Sequence, residues 1–174
     1  ILPTLFAPLD HSSSQWRSRV AALEWLGQMA GTKGRRALAQ YLPQIVPRLT
    51  AGLSDAHANV QRAARESLMQ YGRVLRNPEI QRLFPLLLAA LADPPNCTAR
   101  CLDKIVETSF THVVDGPSLA LLEPMLVRAL TDRMSAASTT TSGTTTASVQ
   151  VKKRAAQIIG NLGSIIDPLE LIPW

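Results

Sequence analysis

The stretch PLLLAALAD, residues Pro85–Asp93, recurs with small changes as PRLTAGLSD at Pro47–Asp55 and as PMLVRALTD at Pro124–Asp132. Each copy begins with proline, continues with apolar residues at helical spacing and closes on aspartate. The closing aspartates lie about 40 residues apart, a spacing typical of stacked helical repeats, and Asp10 fits one step upstream. Because each unit of such a stack buries its apolar face against its neighbours, we predict an all-α solenoid of about four units.

The composition agrees with this fold. Hydrophobic residues make up 46% of the 174 residues and aromatic residues only 5%, which favours helices over sheets. The chain has no apolar run long enough to span a membrane and no secretory leader, so we expect a cytoplasmic protein with no membrane partner. Cys97 and Cys101 lie one helical turn apart, where a disulfide would join nothing distant, so we expect free thiols in a reducing compartment.

A second periodic signal accompanies the aspartates. Arginine follows aspartate by seven residues in three units, as Asp10 and Arg17, Asp55 and Arg62, and Asp93 and Arg100. The fourth unit offers Lys153 as the basic partner of Asp132. Pairs across each helix turn would build a ladder through the stack, which resembles the Asp and Arg pattern of HEAT repeats; ordinary electrostatics at helix ends is the alternative. Both interpretations make these arginines structural, so we do not count them as binding residues.

The apolar periodicity and the turn residues place the helices. Asn77, Pro78 and Glu79 predict a helix start, with asparagine as the cap, proline in the first turn and glutamate at the positive helix end. Prolines recur at corresponding positions inside the first helix of each unit, so they indicate kinks or first-turn residues rather than helix ends. The expected helices are Leu2–Leu9, Ser14–Ala30, Ala37–Leu53, Asn59–Leu75, Pro78–Ala92, Asp93–Thr108, Asp115–Thr131 and a last helix that carries Val151, Ala155, Ile159 and Leu162 on one face.

Corresponding core positions follow from that alignment of units. Leu68 of the second unit matches Ile159 of the fourth, and we expect both side chains to be buried. Ser135–Ser148, which reads SAASTTTSGTTTAS, has neither charge nor apolar periodicity and is predicted to be a disordered insertion. Both ends of the chain fall inside a unit, so residues 1–174 are predicted to be a single segment cut from a longer solenoid.

Residue patterns for catalysis are missing from the sequence. There is no glycine-rich phosphate loop, no paired metal-binding histidines on a helix and no nucleophile elbow. His11, His57 and His112 fall at helix boundaries, where caps and solvated side chains are the usual roles. We therefore expect no enzyme activity, no cofactor, no metal site and no small-molecule substrate.

The order of several segments resembles one section of the general-control translational activator family. The segments are Leu42–Leu49, Asp55–Gln61, Asn77–Ile80 with Ala92–Pro94, Phe110–Leu122 and Ala155–Asn161. That family stimulates the kinase of initiation factor 2 alpha in amino-acid starvation, and this section of it is similar to the HEAT region of translation elongation factor 3. The resemblance implies a right-handed α-α superhelix that contacts the ribosome as a non-enzymatic scaffold. It also implies that the kinase binds other regions of the full-length protein.

Basic residues outside the ladder are the candidate contacts with ribosomal RNA. The net charge of +5 permits an acidic partner. The candidates are Lys33, Arg35 and Arg36 in one connection between units, Arg73, Arg76 and Arg82 around the next, and Lys152, Lys153 and Arg154 at the start of the last helix. The first two clusters should lie along one edge and could follow a phosphate backbone; simple solvation of a basic surface is the alternative. Two other functions stay open, the HEAT region of elongation factor 3, a ribosome-dependent ATPase, and a general protein-binding scaffold.

Overall fold

The computed structural model describes residues 2–10, 15–31, 41–73, 75–131 and 143–164, with the backbone alone in 143–148. Apart from an isolated bridge residue at Val114, regular structure in these ranges is helical, and the predicted all-α fold is confirmed. The helices are α1 (Leu2–Asp10), α2 (Trp16–Met29), α3 (Leu42–Gly52), α4 (Ala58–Arg73), α5 (Pro78–Ala92), α6 (Pro94–Glu107), α7 (Gly116–Thr131) and α8 (Gly143–Leu162).

Helix α5 begins as its sequence predicts. The side-chain oxygen of Asn77 accepts a hydrogen bond from the backbone N–H of Ile80 at 2.8 Å, which satisfies one of the free donors of the first turn. Pro78 is the first helical residue, where its missing N–H costs nothing. The helix then continues through Pro85, and α3 and α7 also contain an internal proline.

The most extensive contact between helices joins α2 to α4. The Ser67 hydroxyl donates to the Leu23 carbonyl oxygen at 2.7 Å, and the Tyr71 hydroxyl donates to the Leu26 carbonyl oxygen at 2.9 Å. A Cβ placed on Gly27 would lie 2.9 Å from the Ser67 Cα, so glycine is what permits this close approach. Burial of Tyr71 raises the pKa of its hydroxyl, and its hydrogen bond satisfies the polar atom that the core would otherwise leave unpaired.

The third unit departs from a regular stack. Successive helices pair within each unit, as α1 with α2, α3 with α4, α5 with α6 and α7 with α8. Helix α3, however, lies closely against α7 rather than α5. Helix α5 packs instead against α4, α6 and α7, with Phe84 of α5 at Gly72 of α4. The first helices of units two and four are therefore neighbours, although about 60 residues of chain lie between them.

The predicted ladder of ion pairs is wrong in its partners. Asp55 pairs with Arg19 of α2, with Nε 3.0 Å from Oδ2, and Asp10 pairs with Arg48 of α3, with Nε 2.8 Å from Oδ1. Both pairs connect one unit to the next instead of closing a turn within a unit. Arg62, seven residues after Asp55, lies on the solvent side of α4 and does not pair with that carboxylate. Arg19 does, because its helix α2 packs against α4.

The burial predicted for Ile159 is also wrong. Leu68 is fully buried, but Ile159 is 45% exposed, and the buried side chains of α8 are Ala155, Ile158 and Leu162. Helix α4 has neighbours on both sides, namely α2 and α5, whereas the main contacts of α8 in the described ranges are with α6 and α7. Equivalent positions in two units are therefore both buried only where the two helices that carry them have equivalent neighbouring helices.

The predicted disordered insertion partly overlaps helix α8. Residues 135–142 lie outside the described ranges, but α8 begins at Gly143, so the last six residues of Ser135–Ser148 are helical. Threonine, alanine and serine are acceptable additions to an existing helix because propagation is far easier than nucleation. Uncharged composition alone is therefore a poor guide to disorder next to a strong helix.

Candidate nucleic-acid interface

Arg73, Arg76 and Arg82 surround the connection between α4 and α5. Arg73 ends α4, Arg76 lies in the connection, and Arg82 is in the second turn of α5; all three are exposed. Lys33, Arg35 and Arg36, which were predicted to lie on the same edge, fall outside the described residues. The described part of this edge thus carries three cations within ten residues of chain.

The connection between α4 and α5 is fixed to the one between α6 and α7. The side-chain nitrogen of Asn77 donates to the carbonyl oxygens of His112 and Val113 at 3.2 and 3.3 Å, and the backbone N–H of Arg76 donates to Asp115 at 3.1 Å. Both connections lead from the second helix of one unit to the first helix of the next. They lie side by side, as expected for one edge of a solenoid.

An acidic group lies next to these arginines. Glu79 is buried, and its Oε1 accepts from the Thr111 hydroxyl at 2.8 Å and lies 2.7 Å from His112 Nδ1. Burial opposes ionisation, but the hydrogen bonds from His112 and Thr111 outweigh it and lower the pKa of Glu79 to about 2. The carboxylate is therefore charged at neutral pH and helps to hold the two connections together.

A cleft of about 450 Å³ opens beside Glu79. It is lined by Pro78, Glu79, Arg82, Leu83, Thr108, Ser109, Thr111 and His112. Sequence reasoning identified Arg82 and the acid at the start of α5 but missed the bond to His112. A contact between residues 33 positions apart in an irregular connection has no local signal in the sequence.

The basic cluster predicted at the start of the last helix lies in the middle of α8 instead, because that helix begins at Gly143. Arg154 forms an ion pair with Asp103 of α6, so its charge is largely compensated. Lys152 is half-buried and Lys153 is exposed, and no ion pair involves either lysine in the described ranges. Asp132, the predicted partner of Lys153, lies outside those ranges.

Arginines assigned to the ladder are instead available at the surface. Arg17, Arg62 and Arg100 are exposed, and none of them pairs with an acid in the part of the chain that the structure describes. The same is true of Arg65, one turn after Arg62. The Arg17 guanidinium lies over the ring of Trp16, 4.9 Å from its centroid. Arg17, Arg62 and Arg100 were missed as binding candidates because their spacing from aspartate suggested a structural role, and Arg65 was not singled out by the sequence analysis.

Other kinds of site find little support in the described residues. No three His, Cys, Asp or Glu side chains there come close enough together to hold a metal ion. Cys97 and Cys101 are free thiols, and burial is the main cause that raises the pKa of Cys101 to about 12, which makes it unreactive. Within the same ranges, none of the helices has the length and apolarity needed to span a bilayer.

Comparison with known proteins identifies the repeats. The family model "EF3 N-terminal HEAT repeat" matches residues 1–68, and "Elongation factor 3/GNC1 HEAT repeat" matches residues 96–173. Over all 174 residues the chain is 42% identical to the stalled ribosome sensor GCN1 of Homo sapiens and 37% identical to the eIF-2-alpha kinase activator GCN1 of Saccharomyces cerevisiae. It is 31% identical to elongation factor 3 of Phytophthora infestans over 167 residues, which are 96% of this chain and 14% of that protein.

The chain spans about 6% of the length of the GCN1 proteins it matches. Its whole length aligns with them, and the two matching family models are both HEAT repeats of elongation factor 3 type. The chain therefore belongs to the GCN1 family, and its repeats are HEAT repeats of the type found in elongation factor 3.

Proposed function

We propose that this chain is a non-enzymatic scaffold segment of a cytoplasmic, ribosome-associated translational activator. In this proposal the full-length protein helps to activate the initiation factor 2 alpha kinase in amino-acid starvation, and the kinase binds regions outside this segment. The names of the relatives, a stalled ribosome sensor and a kinase activator, support that role. The observation on which it depends most is the exposed group of Arg73, Arg76 and Arg82 on a rigid edge.

This edge suits contact with ribosomal RNA. Three cations on one connection can neutralise phosphates without reading sequence, as a scaffold on a large RNA surface requires. The hydrogen bonds from Asn77 and Arg76 to the next connection fix the backbone that carries them, which limits the entropy lost on binding. Lys33, Arg35 and Arg36 remain proposed members of the same edge.

Cosedimentation with ribosomes across a salt series tests the proposal. Unmutated chain should sediment with ribosomes at low salt and dissociate steeply as salt rises, because phosphate contacts release counterions. Arg73→Glu with Arg76→Glu should weaken binding and leave the melting temperature unchanged, since both side chains are exposed. Equal sedimentation of this variant would remove the edge from the proposal, and a chain that fails to sediment at any salt would refute ribosome contact by this segment.

The HEAT region of elongation factor 3 is the second candidate. The 31% identity to the Phytophthora infestans factor supports it, although the GCN1 proteins are more similar over the whole chain. The full-length gene distinguishes the two, since ATP-binding cassettes beyond the HEAT region would indicate the elongation factor. A general protein-binding scaffold, the third function considered, should bind acidic proteins but not ribosomes.

A further inference from the structure

A second basic surface lies where the start of α2 packs against the start of α4. Arg17 of α2 and Arg62 and Arg65 of α4 occupy the first two turns of their helices. All three side chains are exposed and have no acidic partner in the described part of the chain. We call these three residues the outer arginine row.

Two members of this row line a cleft. Arg62 and Arg65, one helical turn apart, line a space of about 370 Å³ together with Gln61. Its other walls are the small or apolar side chains of Leu53, Ala58 and Ala92. The Gln61 side chain donates to the Asp55 carbonyl oxygen at 2.7 Å, which fixes one wall of the cleft. Two guanidinium groups on one turn can therefore converge on a single anionic group.

Arg17 is held in place by an aromatic stack. The rings of Trp16 and His57 are parallel within 9° with their centroids 4.3 Å apart, and the Arg17 guanidinium lies over Trp16. His57 immediately precedes α4, so the stack connects α2 to the turn that leads into Arg62. A guanidinium positioned by an aromatic ring loses less conformational freedom when it binds a ligand.

The partner that fits this row is a chain of phosphates. Met69, which is strongly exposed, lies one turn after Arg65, but none of the large apolar side chains that are strongly exposed in the described ranges lines the cleft. A protein partner would need such anchors at the centre of its interface, whereas a phosphodiester backbone needs only positioned cations. We propose that the outer arginine row binds the phosphate backbone of RNA. This inference rests on the proposed function, because it assigns a second RNA-contacting surface to the same segment.

Binding of the whole 174-residue chain to purified ribosomal RNA, measured by fluorescence anisotropy, tests this inference directly. Arg62→Glu with Arg65→Glu should weaken RNA binding at least tenfold while the circular dichroism spectrum and melting temperature are retained. Arg73→Glu with Arg76→Glu makes the same charge change at the connection between α4 and α5 and is the matched variant. The milder pair Arg62→Ala with Arg65→Ala should lower the slope of log affinity against log salt by about 1 to 2, one phosphate contact for each arginine.

Each possible result either supports or overturns RNA binding by the outer arginine row. RNA binding unchanged in both Arg62 and Arg65 variants overturns the inference, whatever the ribosome assay shows. A chain that binds ribosomes but not free ribosomal RNA, or that binds polyglutamate as tightly as RNA, also overturns it and favours protein contacts. A chain that binds RNA through Arg62 and Arg65 but does not sediment with ribosomes supports the inference and refutes the proposed function.

Discussion

Arg19 and Asp55, 36 residues apart, form an ion pair that connects α2 to the turn before α4. The guanidinium donates from Nη2 to Oδ1 at 3.1 Å, and Nε lies 3.0 Å from Oδ2. Both side chains are mostly buried, at 14% and 17% exposed. A hydrogen-bonded ion pair at this depth is screened little by solvent, so it stabilises the boundary between the first and second units.

Removing this pair should destabilise the chain. Arg19→Ala leaves the Asp55 carboxylate without its charged partner and should lower the free energy of unfolding by about 1–3 kcal/mol. Arg62→Ala is the control, since this exposed residue has no acidic partner in the described ranges, and it should change stability by less than about 0.5 kcal/mol. Urea denaturation of the two variants measures both values. A larger loss for Arg62→Ala would restore the ladder that the seven-residue spacing suggests.

The loss of stability on substituting a core residue should depend on how deeply its side chain is buried and not on its position in the alignment of units. Leu68→Ala, at a fully buried position, should cost about 2–5 kcal/mol because it leaves a cavity. Ile158→Ala should fall within the same range, whereas Ile159→Ala at a 45% exposed position should cost less than about 1 kcal/mol. Chemical denaturation of the three variants measures these losses of stability and ranks them. Equal losses at Ile158 and Ile159 would contradict the orientation of α8.

Substitution by alanine at two glycines, Gly27 and Gly160, should change the stability of the chain in opposite directions. At Gly27 a Cβ would lie 2.7 Å from the Ser67 hydroxyl oxygen and 2.9 Å from its Cα, so Gly27→Ala must push α2 and α4 apart, at a cost of about 1–3 kcal/mol. At Gly160, inside α8, nothing lies within 4 Å of the added atom, and Gly160→Ala should stabilise the chain by about 0.5–1 kcal/mol. Thermal melts of both variants should therefore shift in opposite directions. A stabilising Gly27→Ala would show that this interface is looser than the structure describes.

Glu79 should make stability depend on pH in acid. Its pKa is about 2 in the folded chain, below the ordinary value of 4.5. A carboxyl whose pKa is depressed by folding contributes its full stability above the ordinary pKa, and that contribution is lost as the pH falls from 4.5 toward 2. Wild type should therefore lose more stability than Glu79→Gln over this interval, as measured by urea denaturation at pH 6, 4.5 and 3.

His112 provides the matched test of that mechanism. His112→Ala removes the group 2.7 Å from Glu79 Oε1 and should raise the pKa of Glu79, followed through its carboxyl carbon by NMR titration. An unchanged titration of Glu79 in this variant would show that the Thr111 hydrogen bonds alone hold its pKa down.

Local features of the chain could be predicted from sequence, and distant contacts could not. The bounds of α5 follow from Asn77 and Pro78 at one end and the repeated aspartate Asp93 at the other, because caps and turn residues act within a few positions. The apolar face of α4 was likewise predicted correctly through Leu68 and Tyr71. The ladder partners were wrong because helix packing between units, which brings Arg19 to Asp55, is not encoded in a spacing within one unit.

The candidate site shows the same division. The exposed cluster at Arg73 and Arg76 could be read from charge and from the loop position. The hydrogen bond between Glu79 and His112 could not be predicted, because it depends on how two irregular connections pack against each other. The position of Arg62 and Arg65 beside a cleft depends on Ala92 at the end of α5, which only the three-dimensional arrangement reveals.

The contact between α3 and α7 changes how the segment should respond to force. A regular solenoid extends like a spring, because each unit touches only its neighbours and can open by itself. Here α3 and α7 close a loop around α5 and α6, so a pull on the two ends loads that contact before it reaches the helices between. Units two to four should hence hold together under tension and yield in one step, so this stretch is stiffer than a regular stack of the same length.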